Sequence, residues 1–174
     1  MHQDLEQRLD YLEACEAIRA LIGRYATAAD QRNNPAILQH LFHEDALWCA
    51  EGFGEYQGRE QILAALSNIA QAQVLWSLHI MALPDIQITA QDQATATWML
   101  WEVCTLAKQP ASITDVACHL TPAPKPSTSC LGGFYHTQIR RNAQGEWRFD
   151  RVELKLTFNQ AYPQTETSAS YASG

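Results

Sequence analysis

Leu78-His79-Ile80-Met81-Ala82-Leu83-Pro84-Asp85-Ile86-Gln87-Ile88-Thr89 and, past the polar turn at Gln91-Asp92, Thr95 to Leu106 are where the hydrophobic period of this chain becomes two. Alternation sustained over such lengths marks long strands with one buried face. Downstream, Gly132 to Arg141 and Trp147 to Phe158 repeat the pattern, joined by a hairpin turn at Asn142-Ala143-Gln144-Gly145. Upstream the spacing is helical. Leu5, Leu9, Leu12 and Cys15 step by three or four residues, and Ile18, Ile22, Tyr25, Ala26 and Ala29 continue the stripe. Asn33-Asn34-Pro35 breaks it, and Pro35 suits the first turn of a short second helix through Leu41. Ala46 to Ala50 reads as a short strand, and Phe53 to Gly58 as a turn or small hairpin. A third helix follows, with Ile62, Ala65, Leu66 and Ile69 on one face. Three helices and then a run of strands predict an α+β fold, a curved antiparallel sheet folded over the helices.

The last strand changes parity. Trp147 and Phe149 are apolar at odd positions, Val152, Leu154, Leu156 and Phe158 at even ones. That switch predicts a bulge near Asp150-Arg151, which makes Arg151 a candidate to point inward. Lys108 to Cys130 carries Pro110, Pro122, Pro124 and Pro126 and is long for a hairpin connection. It reads as a lid over a pocket mouth, an oligomer contact or a loose loop. The chain divides into one domain over 1–160, with that Pro-rich insertion at 108–130, and a mobile polar tail over 161–174.

With 174 residues, 47% of them apolar, there is enough chain for a substantial core. Net charge is −7 and no basic stripe exists, so nucleic acid is not an expected partner. No apolar run has the length of a membrane span. Met1-His2-Gln3-Asp4-Leu5-Glu6-Gln7-Arg8 lacks the charged and apolar regions of a secretory signal. The five cysteines are odd in number, scattered and without a C-x-x-C pair, which suits a reduced, cytoplasmic setting; Cys118 and Cys130, flanking the Pro-rich segment, are the one candidate pairing, and reduced structural thiols are the expectation.

Asp30 falls four residues after Ala26 and eight after Ile22, so a carboxylate stands in line with the apolar helix stripe. Buried alone it is costly, so it needs solvent or a partner. His79 shares strand parity with Met81 and Leu83, a titratable ring among apolar neighbours. A carboxylate holding an imidazole fixes its tautomer and makes it a better base. Tyr25, on the same helix stripe, is positioned to donate a hydrogen bond into a cavity. Plainer readings stand beside these: a solvated helix end for Asp30, a satisfied core histidine for His79, an ordinary core aromatic for Tyr25. Trp48, mid-strand, is a candidate pocket wall, and so are Met81 and Trp98. His40 and His43 have metal-box spacing, but the segment passes from helix to strand and a third ligand is missing, so no metal site is expected. No Gly-rich phosphate loop or G-x-S-x-G elbow is present.

Asp30 after a long first helix, Phe42-His43-Glu44-Asp45-Ala46, Gly58-Arg59-Glu60-Gln61-Ile62, His79, Gly133-Phe134-Tyr135 and Gly145-Glu146-Trp147-Arg148-Phe149 together resemble the SnoaL-like branch of the nuclear-transport-factor-2-like superfamily. Asp45 to Gly58 is similar to the hexachlorocyclohexane dehydrochlorinases, the Tyr25–Asp30 spacing to the bile-acid 7α-dehydratases, and scytalone dehydratases are more distant. The resemblance covers roughly Glu6 to Phe158. It implies a cone-shaped α+β barrel around an apolar pocket, no cofactor and no metal, and a homo-oligomer, trimeric rather than dimeric. It further implies a lyase acting on a small hydrophobic cyclic molecule: His79 as base, Asp30 orienting it, Tyr25 assisting departure and Arg151 stabilising the departing charge. Isomerisation or cyclisation by the same dyad, and a non-catalytic accessory role like that of a dioxygenase small subunit, remain open, since a shared fold does not select among them.

Overall fold

The computed structural model describes residues 2–107 and 127–162. The expectations for a lid over 108–126, for a Cys118–Cys130 pairing and for a tail beyond Tyr162 lie outside the described residues. In chain order the elements are α1 (His2–Asp30), α2 (Pro35–Leu38), β1 (Phe42–Ala50), β2 (Gly54–Gln57), α3 (Arg59–Gln73), β3 (Val74–Ala90), β4 (Gln93–Leu106), β5 (Ser127–Arg141) and β6 (Trp147–Tyr162). This is the α+β class, three helices against one six-stranded sheet in the order β2-β1-β6-β5-β4-β3. The sheet is curved and unclosed, with β2 and β3 as its edges.

The helix boundaries follow from local chemistry. Just past Asp30, Arg32 and Asn33 adopt φ of 60° and 53°, a left-handed turn that stops α1 there. Asn34 then caps α2 by accepting the Ala36 backbone N–H at 3.0 Å, ahead of Pro35 in the first turn. From Ala14 onward α1 reaches the core: Ala14, Cys15, Ile18, Leu21, Ile22, Tyr25 and Ala28 are buried, whereas Leu5, Leu9 and Leu12 of the expected stripe are exposed. Gln7, Asp10, Tyr11 and Ala14, not these leucines, share a cleft with Ile88 of β3 and Arg141 of β5.

Strands β3 to β6 pair antiparallel, as does the β1–β2 hairpin, but β1 joins β6 in parallel. No hairpin links those two strands, so no tight turn dictates their relative direction. The bulge expected in the last strand exists: Gln138 pairs Arg151 and Ile139 pairs Phe149, leaving Asp150 as the extra residue. It returns Val152 and Leu154 to the buried face. A second irregularity, between Gly132 and Gly133, allows close approach of two backbones; a Cβ at Gly133 would collide with the Lys155 carbonyl. Ser127–Cys130, expected to belong to the insertion, is instead strand, and β6 continues through Ala161 and Tyr162.

Beneath the sheet an aromatic cluster forms the floor of the molecule. Tyr25 meets Tyr135 and Phe149 edge-on at ring separations of 5.7 and 5.5 Å, and Trp98 stacks on Tyr135 at 5.1 Å. Above that floor the space between α1, α3 and the sheet stays open. Among the described residues no helix is long and apolar enough to cross a membrane.

Candidate active site

A cavity of about 230 Å³ occupies that space, lined by residues from α1, α3 and the sheet. Trp48, Phe53, Leu66, Leu131 and Leu154 are among its apolar walls; Tyr25, His79, Glu102 and Tyr135 supply its chemistry. Asp30, the last residue of α1, projects toward β3. Its Oδ1 accepts two hydrogen bonds at 2.8 Å, one from the His79 backbone N–H and one from the ring Nδ1. A carboxylate only accepts, so Nδ1 carries the proton and the ring is fixed in one orientation. The His79 side chain is 12% exposed and that of Asp30 31%. The two predicted residues therefore meet, a contact that periodicity alone does not establish.

The opposite nitrogen is not free. His79 Nε2 lies 3.3 Å from Oε2 of Glu102, whose side chain is 14% exposed. His79 and Glu102 are direct cross-strand partners on β3 and β4. Burial pushes the His79 pKa down, but hydrogen bonds and charge from Glu102, then from Asp30, more than reverse this and leave it above 6.5. A lone pair on Nε2 facing a carboxylate would be repelled, so the resting arrangement holds a proton between them. Cys104, next along the inner face of β4, is buried; burial first and then the Glu102 charge push its thiol up to about 12.

Tyr25 is buried and accepts the Trp48 indole N–H at 2.9 Å. Burial raises its hydroxyl to about 12 despite that bond and one with Tyr135. Tyr135 is likewise pushed well above 10, by burial first and then by Tyr25 and Glu102. Both phenols remain proton donors across the ordinary pH range.

Trp48 thus lines the cavity as expected, whereas Met81 packs against the core and Trp98 lies behind Tyr135, away from the lining. Arg151 does not enter it. The looped-out residue is Asp150, so Arg151 turns to the outer face, with a guanidinium nitrogen 3.7 Å from Cys49 Sγ and 3.9 Å from Glu153. Among the described lining residues there is no Lys or Arg. His43 is buried with Nε2 3.1 Å from the Arg140 carbonyl oxygen, and His40 faces outward. Glu102 and Tyr135 were not among the expected site residues. The signal for Glu102 was available: it stands in line with the inward positions Trp98, Leu100 and Cys104, as Asp30 stands in its helix stripe.

Residues 10–153 match the model of the SnoaL-like domain family. No curated protein sequence matches the chain. Among solved structures, a hexachlorocyclohexane dehydrochlorinase from Novosphingobium barchaimii superimposes with a TM-score of 0.74 at 18% identity, covering 92% of this chain and 97% of the other. A protein assigned as a scytalone dehydratase from Novosphingobium aromaticivorans gives 0.70 at 20%, covering 95% and 98%. A nuclear-transport-factor-2-like superfamily protein from Salmonella enterica gives 0.63 at 15%, covering 90% and 96%. At these identities the likeness establishes the shared fold.

Proposed function

The chain belongs to the SnoaL-like domain family, and on that premise we propose that it is a cofactor-independent lyase removing water or halide from a small hydrophobic cyclic substrate. The observation that carries this is a histidine held at 2.8 Å by one carboxylate, with a second carboxylate at its other nitrogen, on the wall of an apolar cavity. The accessory reading would gain from a filled pocket or an outward dyad, whereas His79 here lines an open cavity.

Asp30 keeps His79 in one tautomer and balances the charge it gains. Once the Nε2 proton has been released to solvent by way of Glu102, the lone pair removes a proton from the substrate carbon, and Glu102 accepts it from the ring. Tyr25, kept protonated by its burial, donates to the departing oxygen, and the proton gained by the histidine site replaces it through the Tyr25–Tyr135 hydroxyls or solvent. A positioned general base of this kind contributes on the order of 10²–10⁴ in rate. Glu102 also supports a second reading: a carboxylate that receives and returns a proton suits isomerisation, in which no water or halide is released.

Incubation with a panel of cyclic alcohols and chlorides, scored by mass of the product and by chloride release, separates these. Elimination predicts an alkene and loss of both signals in His79→Gln with an unchanged circular dichroism spectrum. Full turnover by that folded variant contradicts the assignment.

The protein is further proposed to act as a homo-oligomer in the cytoplasm. Leu78, Ile80, Met99, Trp101 and Phe134 stand exposed together on the outer face of β3, β4 and β5, an apolar patch of the kind that marks an interaction surface. Sedimentation equilibrium showing three times the chain mass supports a trimer; the mass of a single chain opposes it.

A further inference from the structure

Four buried side-chain polar atoms among the described residues have no hydrogen-bond partner: Ser77 Oγ, Trp98 Nε1, Arg141 Nε and Arg148 Nε. Ser77 alone of these lines the cavity. It stands two residues before His79 on the same face of β3 and is 4% exposed. Asn33, which shares the lining, is already engaged: its amide donates to the Leu66 carbonyl and its own carbonyl accepts from Ser67 Oγ. A buried hydroxyl left unpaired is costly, and such groups in native proteins call for an explanation.

Register supplies the surroundings. Ser77, Cys104 and Ser129 face one another across β3, β4 and β5, a row of small side chains beside the row of His79, Glu102 and Leu131. Two residues along a strand is about 6.7 Å. The cavity thus has a reacting row and, within reach of a ring-sized molecule, a row with room and one unsatisfied hydroxyl. We propose that Ser77 determines specificity by hydrogen-bonding a neutral oxygen of the substrate, a ketone or hydroxyl, placed away from the carbon that loses its proton. The substrate class is then an oxygenated alicycle. Carbon-bound chlorine accepts hydrogen bonds too weakly to repay the buried hydroxyl, and an anionic oxygen would face Glu102 from the adjoining row. This rests on the proposed function in taking the cavity as the substrate site.

Calorimetric binding of 1-indanone and of indane, the same skeleton without oxygen, to the full chain tests it with no turnover required. Wild type should prefer indanone. In Ser77→Ala that preference should fall roughly tenfold, while the melting temperature of the unliganded protein stays level or rises because the unpaired hydroxyl is gone. Should the alanine variant fold poorly, Ser77→Cys keeps the shape with a weaker donor and is read the same way. No indanone preference in wild type, or an unchanged preference in the folded variant, overturns the proposal. Failure of the elimination chemistry would appear instead in the His79→Gln turnover experiment, so the two results are independent.

Discussion

Twice among the described residues a cationic side chain is bracketed by two carboxylates. His79 lies between Asp30 and Glu102 on the cavity wall. Arg140, on β5, reaches Asp45 at the start of β1 and Asp150 in the β6 bulge, the latter at 2.7 Å. The charges are arranged alike, but the consequences differ. Arg140 is permanently charged, and Asp45 is 73% exposed, so the trio is a solvated clamp joining the parallel pair of strands at the bulge. His79 is nearly closed off and can lose its proton, so the same arrangement becomes a means of storing and releasing one. Placement decides it: an extra residue at the sheet rim gives a staple, while a register pair under α1 gives a titratable site.

Removing the titratable member should have the largest effect. His79→Gln is expected to lower kcat/KM by about 10³, measured by product formation, whereas Arg140→Met should leave it unchanged. Loss of activity in Arg140→Met alone would erase the distinction between the two trios.

Next in size is Glu102→Gln. Without that charge the His79 pKa falls. The rate, which rises as the histidine loses its proton, should therefore reach its plateau at lower pH than in wild type. The plateau itself should be reduced roughly tenfold by loss of the proton acceptor. A profile moving to higher pH would contradict the role given to Glu102.

The smallest effects are on stability, and they differ in pH dependence. The folded-state pKa of His79 lies above its ordinary 6.5, so its stabilising contribution is complete below 6.5 and is lost as pH rises through the folded value. The melting-temperature deficit of His79→Gln should accordingly shrink with rising pH. Arg140→Met should cost less than about 1 kcal/mol, equally at neutral and mildly alkaline pH, because the arginine stays charged throughout.

Periodicity revealed the helices-then-sheet order and the bulge because both are written in apolar spacing. It could not say which residue of the bulge loops out. Parity is equally consistent with Asp150 or Arg151, and the pairing of Gln138 with Arg151 settles it, turning the arginine outward. The beginning of β5 was hidden because Ser127, Thr128 and Ser129 carry no apolar alternation; their strand character comes from backbone pairing with Leu106, Thr105 and Cys104. Leu83, placed inward by parity with His79, is expelled to 80% exposure by an irregularity between Ala82 and Asp85. Asp30 and His79 were visible because each interrupts an apolar stripe. Glu102 interrupts one too, but its meaning depends on a cross-strand register that is read only once the strands are paired.

The central claim is that His79 holds a proton between two carboxylates on the cavity wall. Nitrogen-15 NMR titration of its ring in wild type and Glu102→Gln tests it most directly, with no substrate. The account predicts Nδ1 protonated throughout, an Nε2 pKa above 6.5 in wild type, and a lower value in Glu102→Gln. A wild-type value at or below 6.5, or one unmoved by the substitution, would contradict it.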